Sequence, residues 1–199
     1  MRFLNNFKYR LIKKIENFPI IQIFIYNNLE KFKFLFPHEK DYFALNILFK
    51  PNEKRDFIDV GGNIGLSFIG FREIGFRSNK ILVFEPDNFL VSKYLIKLKK
   101  IYKKIHIFNF GLSNNNSKKK LFKAFYKKKF FHFNNSFDKK YILNKIKHNY
   151  PNIYDQFEIK SQTLILKKFD KLNLITNACF IKIDVEGFDH KVIEGMWNF

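Results

Sequence analysis

Cysteine is almost absent: Cys179 is the only one, so no disulfide framework forms within the chain. Five scattered histidines and that single thiol give no metal-ligand spacing, and no metal site is expected. Arginine is scarce as well. Arg2, Arg10, Arg55, Arg72 and Arg77 are five of 37 basic residues, so the net charge of +19 is nearly all lysine. With eight glycines and five prolines, collagen-like repeats are excluded. No apolar run is long enough for a membrane span; the stretch from Phe18 to Tyr26 is far short of the ~20 residues a bilayer core requires. No small-residue cleavage site follows it, which disfavours a secretory leader. A cytoplasmic location is expected, peripheral at a membrane surface if the basic charge is used there.

What is present suffices for a packed domain: 199 residues, 46% of them hydrophobic and 28% charged. The lysine excess has two readings. Lys, Asn, Ile and Phe are all abundant and all specified by A+T-rich codons, so mutational bias alone accounts for lysines on tolerant surfaces. Against that, 16 lysines and one acid (Asp138) fall between Lys97 and His148, an electrostatic footprint suited to nucleic acid, an anionic surface or an acidic substrate.

Residues 1–54 read as a helical lead-in, with Phe3, Leu4, Phe7, Leu11 and Ile15 at near-helical spacing. From 55 onward, short apolar runs alternate with amphipathic helices. Phe57 to Val60, Ile81 to Phe84 and Ile105 to Phe110 are strand candidates. A helix bearing Ile64, Phe68, Phe71 and Ile74 follows the first strand. Another, capped by Asp87 and bearing Leu90, Val91, Tyr94, Leu95 and Leu98, follows the second. These are βαβ units, which imply a parallel sheet with helices on both faces. Residues 114–160 read as an insertion with a strand or two, and a short helix is expected around Leu166 to Leu172. The last strand candidate, Ala178 to Asp184, is apolar on both faces and reads as a buried central strand, with Cys179 in the core; a final helix carries Val192, Ile193 and Met196.

Asp59-Val60-Gly61-Gly62-Asn63-Ile64-Gly65 sits where ligands bind in open parallel sheets, at the carboxyl end of a strand. Neither the dinucleotide spacing of glycines nor a P-loop is present. The pattern D-x-G-x-N-x-G instead fits a nucleoside ligand with no pyrophosphate, such as S-adenosylmethionine. Glu85, 20 residues after Gly65, ends the second strand where a carboxylate accepts hydrogen bonds from ribose hydroxyls. Asn109 to Ser113, ending the third strand, are expected to flank the base. The fourth segment, Lys182-Ile183-Asp184-Val185-Glu186-Gly187, brings two carboxylates to the transferable group. Lys182 is expected on the opposite side of the strand from Asp184, against solvent or a helix.

These segments together resemble the FkbM-type family of S-adenosylmethionine-dependent methyltransferases: F-I-D-V-G-G-N-I-G from Phe57, F-E-P at Phe84 to Pro86, G-L-S at Gly111 to Ser113, and I-K-I-D-V-E-G with Val192-Ile193-Glu194-Gly195 after it. The resemblance implies a Rossmann-like class I methyltransferase fold over 55–199 and O-methylation of a hydroxyl on a saccharide or natural product. It implies cofactor binding by Asp59, Gly61, Asn63, Gly65 and Glu85, to which the glycine turn and the end of the third strand add Gly62, Asn109 and Ser113, and it implies active-site roles for Asp184 and Glu186. His190, six residues after Asp184, is a further candidate base. The family pattern continues with strands beyond the fourth, so the sequence is expected to be a carboxyl-terminally truncated form. The expected partners are a small-molecule or glycan acceptor and an anionic membrane or glycan surface. Nucleic acid is the alternative: Phe122, Phe125, Tyr126, Phe130, Phe131 and Phe133 would stack bases among the lysines, although no D/N-P-P-Y/F sequence of base-amino methyltransferases is present.

Overall fold

The structure is a computed structural model that describes residues 18–28, 31, 40–49, 55–77 and 79–197. The expected helical positions Phe3, Leu4, Phe7, Leu11 and Ile15 lie outside the described residues. Of the lead-in, helix α1 spans Pro19–Asn27 with proline at its start, where a missing N–H costs nothing. A 3₁₀ turn at Lys40–Ala44 leads into α2, Leu45–Leu48. No helix among the described residues is long and apolar enough to cross a membrane.

Four parallel strands form the main sheet: β1 (Asp56–Val60), β2 (Ile81–Phe84), β3 (Ile105–Phe108) and β8 (Ala178–Ile183), in the order β3-β2-β1-β8. Residues alternate between its faces. Phe57 and Val83 point to one side, beneath α3 (Leu66–Glu73) and a long helix α4 (residues 88–101). Ile58, Val60, Leu82 and Phe84 point to the other, against Phe169 and α6 (Asp189–Gly195). The first face is cemented by rings: Phe57 stacks on Phe71 at 4.4 Å and on Phe180 at 5.3 Å. Burying each such side chain contributes roughly 1.5–3 kcal/mol. This arrangement is the doubly covered parallel sheet of a Rossmann-like fold.

Helix α4 runs through Asn88–Leu90, Val91–Leu95 and Ile96–Ile101, its middle segment widened into a π turn. Asp87 caps it by accepting a hydrogen bond from the Phe89 N–H at 3.0 Å. Arg72 of α3 is buried and donates to the carbonyls of Phe76, Asn79 and Lys103, pinning the loops before β2 and β3.

A second sheet departs from expectation. Its strands are β4 (Gly111–Ser113), β5 (Ser117–Tyr126), β6 (Lys129–Ser136) and β7 (Phe157–Lys168), in the order β4-β7-β5-β6. Helix α5, Lys139–Asn149, joins β6 to β7. The segment expected as an insertion with a strand or two thus supplies β5, β6 and the start of β7. The helix expected around Leu166 to Leu172 is instead the end of β7 and a single 3₁₀ turn, Phe169–Lys171. Leu164 and Leu166 are buried while Ile165 between them is exposed, a period of two that marks a strand.

Three of the six rings expected to stack bases are not on the surface, while Phe122 and Phe125 are half-buried. Tyr126, Phe130 and Phe131 are core residues, and their faces are covered by other rings such as Phe157 and Tyr150. The side chain of Phe133 lies outside the described residues. Strand β8, expected as a buried central strand, is the outer strand of its sheet with all six residues half-buried. Cys179 is accordingly half-buried rather than in the core.

Candidate active site

The carboxyl ends of β1, β2 and β8 converge on one cavity of about 410 Å3, a size suited to a small ligand. After β1 the chain turns back sharply, with the N–H groups of Gly61 and Gly62 both donating to the Phe84 carbonyl at 3.0 and 3.2 Å. Gly61, Asn63 and Gly65 have φ of +84°, +47° and +91°, the left-handed region in which glycine carries no steric cost. At Gly61 space decides as well: a Cβ there would stand 2.2 Å from the Asp184 carbonyl oxygen. The Asp184 N–H in turn donates to the Val60 carbonyl at 3.1 Å. The glycine turn and the β8 end are therefore in direct backbone contact.

Glu85 follows β2 and is nearly fully buried. One carboxylate oxygen accepts from the Asn63 N–H and the other from the Asp87 N–H, each at 2.8 Å. Burial pushes its pKa up to about 7, against those two hydrogen bonds. Each oxygen retains a lone pair for a further donor.

Asp59 lies fully buried under the glycine turn. Neither of its oxygens makes a well-formed hydrogen bond among the described residues. Burial raises its pKa, and Lys182 and Ser67 are the groups that favour its charged form. The Lys182 ammonium lies 3.8 Å from Asp59 and 3.1 Å from Asp184. Lys182 was expected across the strand from Asp184. Residues two apart on a strand share a face, and parallel register sets Lys182 beside Asp59.

Glu186 and Gly187 turn the chain after β8 with φ of +52° and +87°. Glu186 pairs with Lys145 of α5 at 3.4 Å. Burial raises its pKa, and Lys145 opposes the rise. A non-glycine residue held in this conformation costs of order 1 kcal/mol or more and is typical of functional turns.

Gly61, Gly62, Asn63, Glu85, Asp184 and Glu186 all line the cavity. Gly65 stands behind them as the residue preceding α3. Asn109 and Ser113, expected beside the base, are not among the lining residues; Gly111 and Leu112 are. The Asn109 amide donates to the Glu85 carbonyl at 2.9 Å and so braces that loop from behind. Ser113 is buried in β4, packed under α6, where a Cβ on Gly195 would stand 2.1 Å from its carbonyl oxygen. His190 is also outside this cavity. It is exposed and lines a second, outer cavity of about 560 Å3, whose wall shares Phe137, Glu186 and Phe188 with the first. Sequence reasoning missed Lys145 and Phe137, which only the packing of α5 and the end of β6 brings to the β8 turn, and Phe188, which lies in that turn itself.

The sequence profile described as the methyltransferase FkbM domain matches residues 59–199, which runs from the buried Asp59 through the β8 turn. A crystal structure of methyltransferase FkbM from Methylobacillus flagellatus KT is similar at 15% identity, with a TM-score of 0.46. The similarity covers 73% of this chain and 29% of that one. No curated protein matches the sequence. With its glycine turn, Glu85 and the β8 carboxylates all inside the matched region, the chain belongs to the FkbM methyltransferase domain family.

Proposed function

We propose that this protein transfers a methyl group from S-adenosylmethionine to a hydroxyl oxygen of a saccharide or natural-product acceptor. The observation that carries the reading is the Glu85 carboxylate, tied to the glycine turn through Asn63 N–H and facing the cavity with acceptor capacity to spare. A vicinal diol donates to such a carboxylate. The residues fit the cofactor on a second count: the turn is bare of side chains where Gly61 and Gly62 line the cavity, leaving room for close approach.

When bound, S-adenosylmethionine supplies an already activated methyl group on a sulfonium. The chain's own tasks are alignment, exclusion of water and acceptance of one proton. Leu90, Leu112, Leu164 and Leu166 wall the cavity with apolar surface. Glu186 is the candidate base. It lines both cavities, so an acceptor lying in the outer one meets its carboxylate on the way in. Its raised proton affinity favours taking the hydroxyl proton. Asp184, held by Lys182, orients the acceptor and keeps the lysine at the cavity wall.

The test is a labelled methyl-transfer assay with the full chain against glycan and lipid extracts. Label in an alkali-stable methyl ether is expected, and Glu186→Gln should lower the rate by at least ~100-fold while leaving cofactor binding intact. Label found only in alkali-labile esters or on nitrogen, or none from a folded sample, contradicts the reading.

A further inference from the structure

The outer cavity is lined by two lysines and two carboxylates, and one of the lysines has no carboxylate partner among the described residues. Its basic groups are Lys119, His190 and Lys191; its acids are Asp138 and Glu186. Each acid has a contact other than the two lysines of the cavity. Asp138 caps α5, one oxygen accepting from the Lys140 and Tyr141 N–H groups, and Glu186 pairs with Lys145. Lys191 has a partner outside the cavity, Glu194 at 3.2 Å.

Lys119 is different. Among the described residues it has no carboxylate partner. Its ammonium stands 3.9 Å from the ring centre of Phe188 and 4.9 Å from that of Phe137, two rings that contact each other at 4.9 Å. Its pKa is lowered by burial and by the neighbouring charge of Lys191. A lysine placed on a surface by codon bias alone has no reason to sit half-buried over two rings and near a second lysine. An anion between the two ammonium groups would relieve their repulsion.

Resting on the methyl-transfer reading, we propose that the acceptor is an anionic saccharide. Lys119 and Lys191 hold its phosphate monoester or carboxylate in the outer cavity, and one ring hydroxyl reaches Glu186 at the junction with the inner cavity. Phe137, Glu186 and Phe188 border both cavities; on this proposal the inner one takes the methyl donor and the outer one the acceptor's charge.

The test uses the full chain and three probes at fixed ionic strength, glucose 6-phosphate, glucuronate and glucose, with affinities read by saturation-transfer NMR. At least one anionic probe should bind ~10-fold or more tighter than glucose, and which of the two prevails identifies the anion as phosphate or carboxylate. Lys119→Gln should abolish the preference, Lys119→Arg should keep it, and Lys118→Gln, a change on the exposed neighbour, should leave it unchanged. Equal binding of all three probes overturns the proposal. So does an equal loss in Lys118→Gln and Lys119→Gln, which would mark a diffuse lysine field. Lys119→Gln should still bind S-adenosylmethionine with unchanged affinity. If the anion preference holds and no variant binds that cofactor, the methyl-transfer reading falls while the anion site stands.

Discussion

The Lys182 ammonium stands 3.8 Å from the Asp59 carboxylate, the nearest compensation for a charge with no exposed surface. The same ammonium reaches the exposed Asp184 at 3.1 Å, so one side chain connects the floor of the glycine turn with the β8 turn. Lys182→Met removes the cation and leaves Asp59 uncompensated. Because Lys182 keeps some solvent contact, the expected loss is about 2 kcal/mol, less than for a fully buried pair. Urea denaturation measures it. Adding Asp59→Asn to Lys182→Met should recover part of the loss, a coupling on the order of 1 kcal/mol in a double-mutant cycle.

Gly61 and Gly187 share a positive φ but differ in their surroundings. A Cβ at Gly61 meets the Asp184 carbonyl at 2.2 Å, whereas one at Gly187 has nothing within 4 Å. Gly187→Ala should therefore cost only its backbone strain, about 1 kcal/mol. Gly61→Ala must also push the β8 turn away and should cost about 2 kcal/mol or more. Cofactor affinity should fall for Gly61→Ala and hold for Gly187→Ala; equal behaviour would mean that the two turns are not in contact.

Glu85 makes stability depend on pH in the direction opposite to a salt-bridged carboxylate. Its folded pKa of about 7 lies above the ordinary 4.5, so between those values the folded state binds the extra proton. Stability should then decline as pH rises from about 4.5 to about 7, by on the order of 3 kcal/mol from this group, and level off beyond. Asp59, also raised by burial, acts in the same sense. Urea midpoints measured from pH 5 to 8 should show a flatter dependence for Glu85→Gln than for the native chain.

Arg72 tests the scaffold apart from the site. Its guanidinium serves three carbonyls from two loops, and burial lowers its pKa to about 10. Arg72→Leu strands those carbonyls and should cost about 3 kcal/mol. The thermal midpoint should fall accordingly, with the hydrogen bonds of Glu85 to Asn63 and Asp87 unaffected in the protein that remains folded.

The parallel sheet was legible because each of its strands is a short apolar run closed by a glycine, proline or acid, as in Phe57 to Gly61 and Ile81 to Pro86. The same signals located the cavity, and Gly61, Gly62, Asn63, Glu85, Asp184 and Glu186 all line it. The second sheet was not legible. In β5 and β7, lysines both exposed (Lys118, Lys120, Lys160) and buried (Lys123) interrupt the apolar runs, while Leu166, Phe169 and Leu172 fall by chance at helical spacing. Lys182 lies on the same face as Asp184 because side chains two apart on a strand point the same way. Asn109 and Ser113 lie close in sequence to lining residues, but their side chains turn to Glu85 and into the core around β4. His190 went to the outer cavity because Glu186 and Gly187 both turn left-handed before α6 begins.

The central claim is that this cavity binds S-adenosylmethionine through Glu85. Calorimetric titration of the full chain with that cofactor, beside Glu85→Ala, tests it most directly. The account predicts one site per chain for the native protein and at least a ~10-fold loss of affinity for Glu85→Ala, with both proteins folded by circular dichroism. A folded native chain that takes up neither S-adenosylmethionine nor S-adenosylhomocysteine would contradict it.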